Sequence, residues 1–291
     1  MRGQGLSTGA DTALLRQLSA NSAPYRDPLA GVNWSQLGTH GYWLPEAALS
    51  LYGLPEFDAL APAVRHRLSQ YEFVNVMHCG LWLEGIFLQR MSRRLRPEMP
   101  RAEQEYLLHE LREEAGHGLM FLRAIEAGGL AVPDGSWRAP RAASALGRLA
   151  PAGGALFWLA MLIGEDLPDK FNRYLRSQPD GVNPAVRQIC TVHILDEARH
   201  ISLAGHELES ALAGAGVLRR KLLSAVARLL IRQLARALYF PPARFYELAG
   251  LTRGTDWRAA ALRNPVRKRF VAERIAPTAR VLESYGLDVS R

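Results

Sequence analysis

The chain has 291 residues, of which 48% are hydrophobic, so it can bury one large core, and it contains only two cysteines, Cys79 and Cys190. Two cysteines this far apart exclude a disulfide-stabilised secreted scaffold and favour a reducing cytoplasm. The N-terminus has no secretory signal pattern, and the long, mainly apolar uncharged run at residues 149–164 is too short to predict a bilayer span, so we expect a cytoplasmic protein.

Charge is unevenly distributed along the chain. Residues 215–291 contain 16 Lys and Arg against 5 Asp and Glu, a net charge of +11, so residues 1–214 carry −3 of the total of +8. Such an excess is typical of solvated helix faces, but it could also attract nucleic acid, a membrane surface or an acidic protein. Since no nucleic-acid-binding motif accompanies it, we expect neither nucleic acid nor a membrane as a partner.

The first part of the chain, residues 1–45, contains scattered Gly, Pro, Asn and Ser and predicts an irregular arm. A long helical segment follows at about residues 61–95 and is ended by Pro97. The next segment begins at Pro100, has acidic residues in its first turn, where the helix dipole favours them, and reaches the helix-stop pair Gly128–Gly129.

After a Pro/Gly loop, the sequence predicts a third helix over about residues 152–177, with a kink at Pro168. Asn183–Pro184 is a helix cap followed by a first-turn proline, and it predicts a fourth helix that reaches residues 214–216.

A fifth helix, basic and amphipathic, is predicted over about residues 217–239, and shorter helices follow it. The sequence shows no strand alternation and no internal repeat, and therefore predicts an all-α protein. We expect a single domain over residues 1–291, with a core bundle at about 61–214 and a basic helical C-terminal extension at about 217–291.

Two Glu-x-x-His pairs carry the first functional signal, Glu114 with His117 in "EEAGH" and Glu197 with His200 in "DEARH". Residues three apart share one helix face, so each pair can bind a metal ion while its carboxylate bridges to a second one. With eight histidines in the chain, about half of one such pair is expected by chance. The two pairs alone are therefore a modest signal.

Two single glutamates strengthen this signal. Glu84 in "LWLEGIFLQ" and Glu165 at the end of "LFWLAMLIGE" each lie on an apolar helical stripe. A buried carboxylate is costly unless it is paired or bound to metal, although each could instead be an exposed or helix-end charge. Four helices would then contribute Glu, Glu-x-x-His, Glu and Glu-x-x-His, the arrangement of four-helix di-iron carboxylate sites.

His193 lies four residues before Glu197 and seven before His200, so all three share a face. It is either a third histidine ligand or a core histidine with a hydrogen-bond partner. Glu113 competes with Glu114 as a ligand, but the parallel with the second pair favours Glu114 and leaves Glu113 in support or in solvent.

Asp166 directly follows Glu165, and Asp196 directly precedes Glu197. Each aspartate therefore points about 100° away from the neighbouring candidate ligand. We expect both to be outer hydrogen-bond partners of the site or surface charges.

These motifs resemble the p-aminobenzoate N-oxygenase-like di-iron proteins of the ferritin-like superfamily. The resemblance rests on "LSLYGLPEFDAL", "EFVNVMHCGLWLEGIFLQ", "HELREEAGHGLMFLRAI" and "HILDEARHI", and it covers roughly residues 40–245. It implies a ferritin-like four-helix bundle core with additional N- and C-terminal helices. The metal ligands that it implies are Glu84, Glu114, His117, Glu165, His193, Glu197 and His200.

The resemblance also implies a chemistry. The protein would be an O2-dependent monooxygenase with two iron ions, or manganese as the alternative, and an external two-electron donor. It would convert an arylamine or a carrier-tethered amino acid to a hydroxylamine, nitroso or nitro product in natural product biosynthesis. The alternatives are a hydroxylase or desaturase that acts on carbon, and a ferritin-like iron-handling protein with no organic substrate. We further expect a homodimer and a redox partner protein.

A substrate pocket is expected one helical turn from the ligands. The candidate residues are Met77, Gly80, Phe121, Met161 and Asp169. The apolar ones are equally typical of plain core packing, and Asp169 could contact an amine or remain an exposed charge. No arginine on the first long helix faces the site to bind a free carboxylate, so we expect a neutral or carrier-tethered substrate, with the basic C-terminal region as a surface for an acidic carrier.

Overall fold

The computed structural model describes residues 9–149, 151–178 and 180–289, with side chains from residue 12 onward. These ranges contain helices and no strand, which confirms the all-α prediction. The helices are α1 (Gly9–Ser22), α2 (Pro55–Asp58), α3 (Pro62–Ser92), α4 (Arg101–Ala127), α5 (Arg141–Leu149), α6 (Gly154–Ser177), α7 (Pro184–Leu212), α8 (Val217–Tyr239), α9 (Ala243–Leu248), α10 (Gly254–Arg263) and α11 (Pro265–Ser284). None of these helices is long and apolar enough to cross a membrane.

The core is a bundle of four long helices, α3, α4, α6 and α7, in which α3 packs on α4 and α6 packs on α7. The capping residues act as the sequence predicts at α7, where the Asn183 side chain accepts a hydrogen bond from the backbone N–H of Ala185 at 2.8 Å. Pro168 lies inside α6, which continues to Ser177. The four predicted helices thus form the framework that holds the candidate ligands.

Residues 1–45 are not irregular throughout, because α1 occupies Gly9–Ser22. Leu15 and Leu18 are buried in the core, and α1 lies along α4. The guanidinium of Arg112 on α4 donates to the carbonyl of Ser22 at 2.6 Å and thereby satisfies the C-terminal end of α1. The expectation of an irregular arm was wrong here, since one apolar face is enough to stabilise a short helix against a larger one.

The predicted Pro/Gly loop between the second and third long helices also contains a helix, α5. Ala143 of α5 is buried, and Ser144 accepts a hydrogen bond at 2.9 Å from the indole N–H of Trp82 on α3. Gly147 lets the two helices approach, since a Cβ there would lie 2.9 Å from Ile86. The expectation of a loop was therefore too simple for this segment.

The C-terminal helices are anchored to the bundle by buried polar contacts. The Asn75 side chain on α3 donates to the carbonyls of Ala237 and Leu238 at the end of α8. Thr278 of α11 donates to Asp166 of α6 at 2.6 Å. Helices α8, α9 and α11 pack on α3 or α6, and α10 packs on α9 and α11.

Candidate metal centre

The seven predicted ligands meet in the middle of the bundle. Glu84 comes from α3, the first Glu-x-x-His pair from α4, Glu165 from α6, and the remaining three ligands from α7. All seven are at most 4% exposed. Their ligand atoms form two overlapping groups in which every atom lies within 4.8 Å of the others. The groups are Glu84, His117, His193 and Glu197, and Glu114, Glu165, Glu197 and His200.

The first group is organised around one oxygen of Glu197. Its Oε1 atom lies 3.3 Å from Nδ1 of His117 and 3.4 Å from Nε2 of His193. Oε1 of Glu84 lies 3.5 Å from the same His193 nitrogen. Two imidazole nitrogens and two carboxylates thus converge on one point.

The second group is organised around His200. Its Nδ1 atom lies 3.0 Å from Oε1 of Glu114 and 3.3 Å from Oε2 of Glu197. The other oxygen of Glu114 lies 3.4 Å from Nδ1 of His117, in the first group. Glu114 and Glu197 therefore each direct one oxygen to each group, which is the geometry of two carboxylates that bridge a pair of metal ions.

The outer nitrogens of two ligand histidines are held by carboxylates. The Nε2–H group of His117 donates to Asp196 at 3.2 Å, and that of His200 donates to Glu113 at 3.1 Å. Arg199 donates to both carboxylates, at 2.6 Å to Asp196 and 2.9 Å to Glu113. These contacts fix the tautomer that leaves Nδ1 of each histidine free to bind a metal.

Burial and charge set the ionisation of the metal-free carboxylates. Burial raises the pKa of Glu84 well above its usual range, and the nearby charge of Glu114 raises it further. Burial and the charges of Glu197 and Glu114 do the same to the pKa of Glu165. Burial also opposes ionisation of Glu114, but the charge of His200 and the close approach of both imidazoles hold its pKa well below the usual range. Four carboxylates this close need cations to ionise together.

The pKa values of two ligand histidines, His117 and His200, are raised, whereas burial lowers that of His193. Burial disfavours the charged form of His117, but its hydrogen bond to Asp196 and the nearby carboxylates of Glu114 and Glu197 outweigh burial and raise its pKa to about 10. Burial also disfavours the charged form of His200, but the charges of Glu197 and Glu114 raise its pKa well above the usual range. Protons on these imidazoles thus balance part of the carboxylate charge, a task that metal ions would take over.

The polar atoms that face the centre fit a pair of metal ions. Buried atoms with no hydrogen-bond partner include Nδ1 of His117 and of His200, both oxygens of Glu114 and of Glu197, and one oxygen each of Glu84 and Glu165. Buried polar atoms are normally paired, and eight unpaired ones that converge on one place are the donor set of a dinuclear site. Carboxylates and imidazoles without thiolates suit iron and manganese.

Comparison with known proteins identifies the family. The family described as P-aminobenzoate N-oxygenase AurF matches residues 9–286 of the chain. The chain belongs to this family. Similar proteins include the uncharacterized protein Rv0885 of Mycobacterium tuberculosis and the uncharacterized protein Mb0909 of Mycobacterium bovis, each 25% identical over 251 residues, which cover 84% of this chain and 72% of the relative.

Solved structures of R2-like ligand-binding oxidases with an aerobically reconstituted Mn/Fe cofactor share the fold. A valine-to-isoleucine variant has a TM-score of 0.50 and 13% identity, and covers 93% of both chains. A glutamate-to-aspartate variant has the same score and identity over 93% of this chain and 92% of the other. These likenesses confirm the ferritin-like fold class. Together with the family and the site, they support an oxygenase with a dinuclear metal centre.

A small pocket lies beside the centre. A cavity of about 30 Å³, room for about two ordered waters, lies against Glu84, Glu165 and His193. The walls are mainly apolar. Of the predicted pocket residues, Met77, Gly80 and Phe121 line it. Gly80 is needed for this shape, since a Cβ there would lie 2.5 Å from the Phe121 ring.

The two other predicted pocket residues lie elsewhere. Met161 lines a neighbouring apolar cavity. Asp169 is fully buried and bound by Arg173 at 2.7 Å and Lys170 at 3.1 Å. Asp169 lies four residues after Glu165 and shares its helix face, as the spacing predicts. Its carboxylate, however, forms ion pairs with the side chains of Lys170 and Arg173. Asp166 is likewise buried and occupied by Thr278 and Lys170.

Several residues of the site were not found by sequence reasoning. Arg199 could have been predicted as a partner of Asp196, because it lies three residues later on the same helix face. The Asn172 side-chain amide contacts Nδ1 of His193 at 3.2 Å and has no sequence motif. Tyr106 and Glu110 lie one turn apart on α4, both buried, and each has an oxygen without a hydrogen-bond partner. Burial raises the pKa of Glu110 to about 7 although the charge of His200 opposes this.

Proposed function

We propose that the protein is an amine N-oxygenase that converts an amine to a hydroxylamine and then to nitroso or nitro products. Two iron ions, or manganese in place of iron, would be held by the seven ligands, and O2 and an external reductant would be consumed. One observation carries the proposal: the N-oxygenase family matches nearly the whole chain, and all seven ligands, the third histidine included, converge in the core.

The first turnover balances as amine plus O2, two electrons and two protons giving hydroxylamine and water. When bound, the metal pair supplies the two-electron redox chemistry that activates O2. The protein itself binds and orients the amine. The apolar walls at Met77 and Phe121 exclude water and orient the amine nitrogen toward the side of the centre formed by Glu84 and His193.

The charged groups around the histidines have a positioning role in this proposal. Asp196 and Glu113 hold the protons of the outer imidazole nitrogens, and Arg199 neutralises both carboxylates. This arrangement keeps Nδ1 of His117 and His200 directed at the metal ions throughout turnover.

The surroundings of the enzyme also belong to the proposal. We propose a cytoplasmic location, a redox partner protein as the source of electrons, and a homodimer. The substrate is a small amine or a carrier-tethered one, and natural product biosynthesis is the setting in which such amines are oxidised.

The test uses metal-loaded protein that is chemically reduced without O2, mixed with aniline and para-substituted anilines, and exposed to 18O2. We expect products that carry labelled oxygen on nitrogen, detected by mass spectrometry, and none from a Glu165→Ala variant. Oxygen found only on carbon would overturn N-oxygenation in favour of hydroxylation. Uptake of far more than two iron ions per chain with no organic product would favour iron handling instead.

A further inference from the structure

A second cavity lies next to the pocket at the metal centre, and it is the larger of the two. It measures about 70 Å³ and is enclosed by α3, α5, α6 and α8. The two cavities share Leu83 and Gly164, the residues that directly precede Glu84 and Glu165. The larger cavity thus begins at the metal ligands and leads away from them.

We propose that this second cavity, which we call the α5 cavity, holds the hydrocarbon body of the substrate while the amine lies at the metal centre. The proposal rests on the amine N-oxygenase function proposed above and names its substrate class: amines with an apolar extension. The pocket beside the ligands is too small for such an extension, so the hydrocarbon has to lie in the α5 cavity.

The lining of the α5 cavity favours hydrocarbon. The described residues around it are aliphatic, aromatic or glycine, apart from Arg90. The guanidinium of Arg90 donates to the carbonyl of Arg148, at the C-terminal end of α5, at 2.9 Å. Since nearly all of the surface that faces the cavity is apolar, a polar or charged ligand would lose most of its hydration there, whereas an apolar one gains from burial.

The shape of the α5 cavity favours an elongated ligand. Its lining extends along α3 from Leu83 to Arg90 and along α6 from Gly164 back to Leu156. These stretches correspond to about 10–12 Å of helix rise, directed away from the metal centre. A linear alkyl chain matches this length.

Two side chains, those of Leu83 and Phe87, form part of the boundary between the two cavities. The Phe87 ring lies over Gly164, where an added Cβ would be 2.4 Å from its Cζ atom. Leu83 forms the other side of the boundary. Since leucine and phenylalanine change rotamer more readily than a helix moves, a ligand can occupy both cavities without unfolding either helix.

The test measures the affinity of metal-free protein for a series of 4-alkylanilines, from methyl to hexyl, and for the matching alkylbenzenes. Each added methylene is expected to tighten binding about fourfold until the cavity is filled. Isothermal titration calorimetry reports the affinities. Because alkylbenzenes have no amine, they test the cavity independently of N-oxygenation.

Two variants fill the cavity from different walls. Ala160→Leu on α6 and Leu146→Phe on α5 both add volume to the lining. Each is expected to abolish the gain in affinity with chain length, because the added side-chain atoms occupy the space that the alkyl chain would take. The matched control is Ala211→Leu on α7, a partly buried position outside this lining, which should keep the full series. The second variant keeps the test decisive if the first does not fold.

Affinities that do not depend on chain length in the wild type would overturn the proposal, as would a full chain-length gain in both filled variants. Failure of N-oxygenation is a separate result. It would appear as an absence of oxygenated aniline in loaded protein while the chain-length series of the alkylbenzenes persists.

Discussion

Arg199 connects the two histidine–carboxylate pairs at the outer edge of the metal centre. It binds Asp196, which holds His117, and Glu113, which holds His200. One guanidinium therefore stabilises the orientation of one ligand in each metal group. Such outer partners typically raise metal affinity because they fix the imidazole in its binding tautomer.

We expect Asp196→Asn and Glu113→Gln each to lower metal affinity about 10- to 100-fold. Neither substitution removes a ligand atom, and each weakens the partner of one histidine. Competition with a chelator, followed by atomic absorption, measures the effect. Glu126→Gln, an exposed site on the same helix as Glu113, serves as the control and should retain wild-type affinity. Wild-type affinity in both variants would contradict the orienting role.

Metal loading should release protons. In the metal-free protein the pKa of His117 is raised to about 10 and that of His200 is raised well above the usual range, so both imidazoles hold protons at neutral pH. A metal ion binds only the deprotonated Nδ1 atom, and metal affinity therefore increases with pH up to the pKa of these groups. Calorimetry in buffers of different ionisation enthalpy measures the protons released. An affinity independent of pH between 6 and 9 would contradict this.

At the residue scale, spacing indicated six of the seven ligands and left His193 open between a ligand and a core histidine, while the family resemblance implied all seven. Two Glu-x-x-His pairs and two glutamates on apolar stripes could be placed on helix faces because helical periodicity fixes which residues share a face. Glu110 lies four residues before Glu114, and Asn172 lies seven residues after Glu165, so the same periodicity could have placed both on ligand faces. Their burial and contacts, like those of Tyr106, depend on how different helices pack and could not be found in this way. The assignment of the fold rested on the same periodicity and was correct for the four long helices.

At the element scale, α1 and α5 were missed because both are short and lie in segments with glycine and proline. Short helices are marginal in isolation and depend on burial of one face, which the sequence does not show for a segment of this length. α1 buries Leu15 and Leu18 against the bundle, and α5 closes the α5 cavity. Both helices are therefore products of tertiary packing.

Leu18→Ala is expected to lower the free energy of unfolding by about 2–4 kcal/mol, because it leaves a cavity between α1 and the core. Urea denaturation followed by circular dichroism measures this. Gln17→Ala, the exposed neighbour, should change stability by less than about 0.5 kcal/mol. Equal effects of the two substitutions would indicate that α1 does not pack as described.

At the scale of the whole molecule, a buried ion pair connects distant parts of the chain. Arg267 on α11 lies 3.7 Å from Glu72 on α3 and donates to the carbonyls of Tyr239 and Ala48. Glu72 in turn accepts hydrogen bonds from Ser50. The C-terminal helices, α3 and the segment that precedes α3 thus meet at one polar cluster inside an apolar core.

Arg267→Met is expected to destabilise the protein by about 3–5 kcal/mol, since it leaves the Glu72 carboxylate buried and unpaired. Adding Glu72→Gln should recover part of that loss by removing the charge. Thermal and urea unfolding of the two variants measure the difference. A double variant less stable than Arg267→Met would show that the charge is not the source of the cost.

The dinuclear centre is the central claim, and the metal content of the protein tests it most directly. Protein loaded with Fe(II) without O2, desalted and analysed by inductively coupled plasma mass spectrometry should contain two metal ions per chain. Glu114→Ala, which removes a bridging carboxylate, should hold fewer than one, and Glu126→Ala should still hold two. A wild-type protein that retains one ion or none under these conditions would contradict the account.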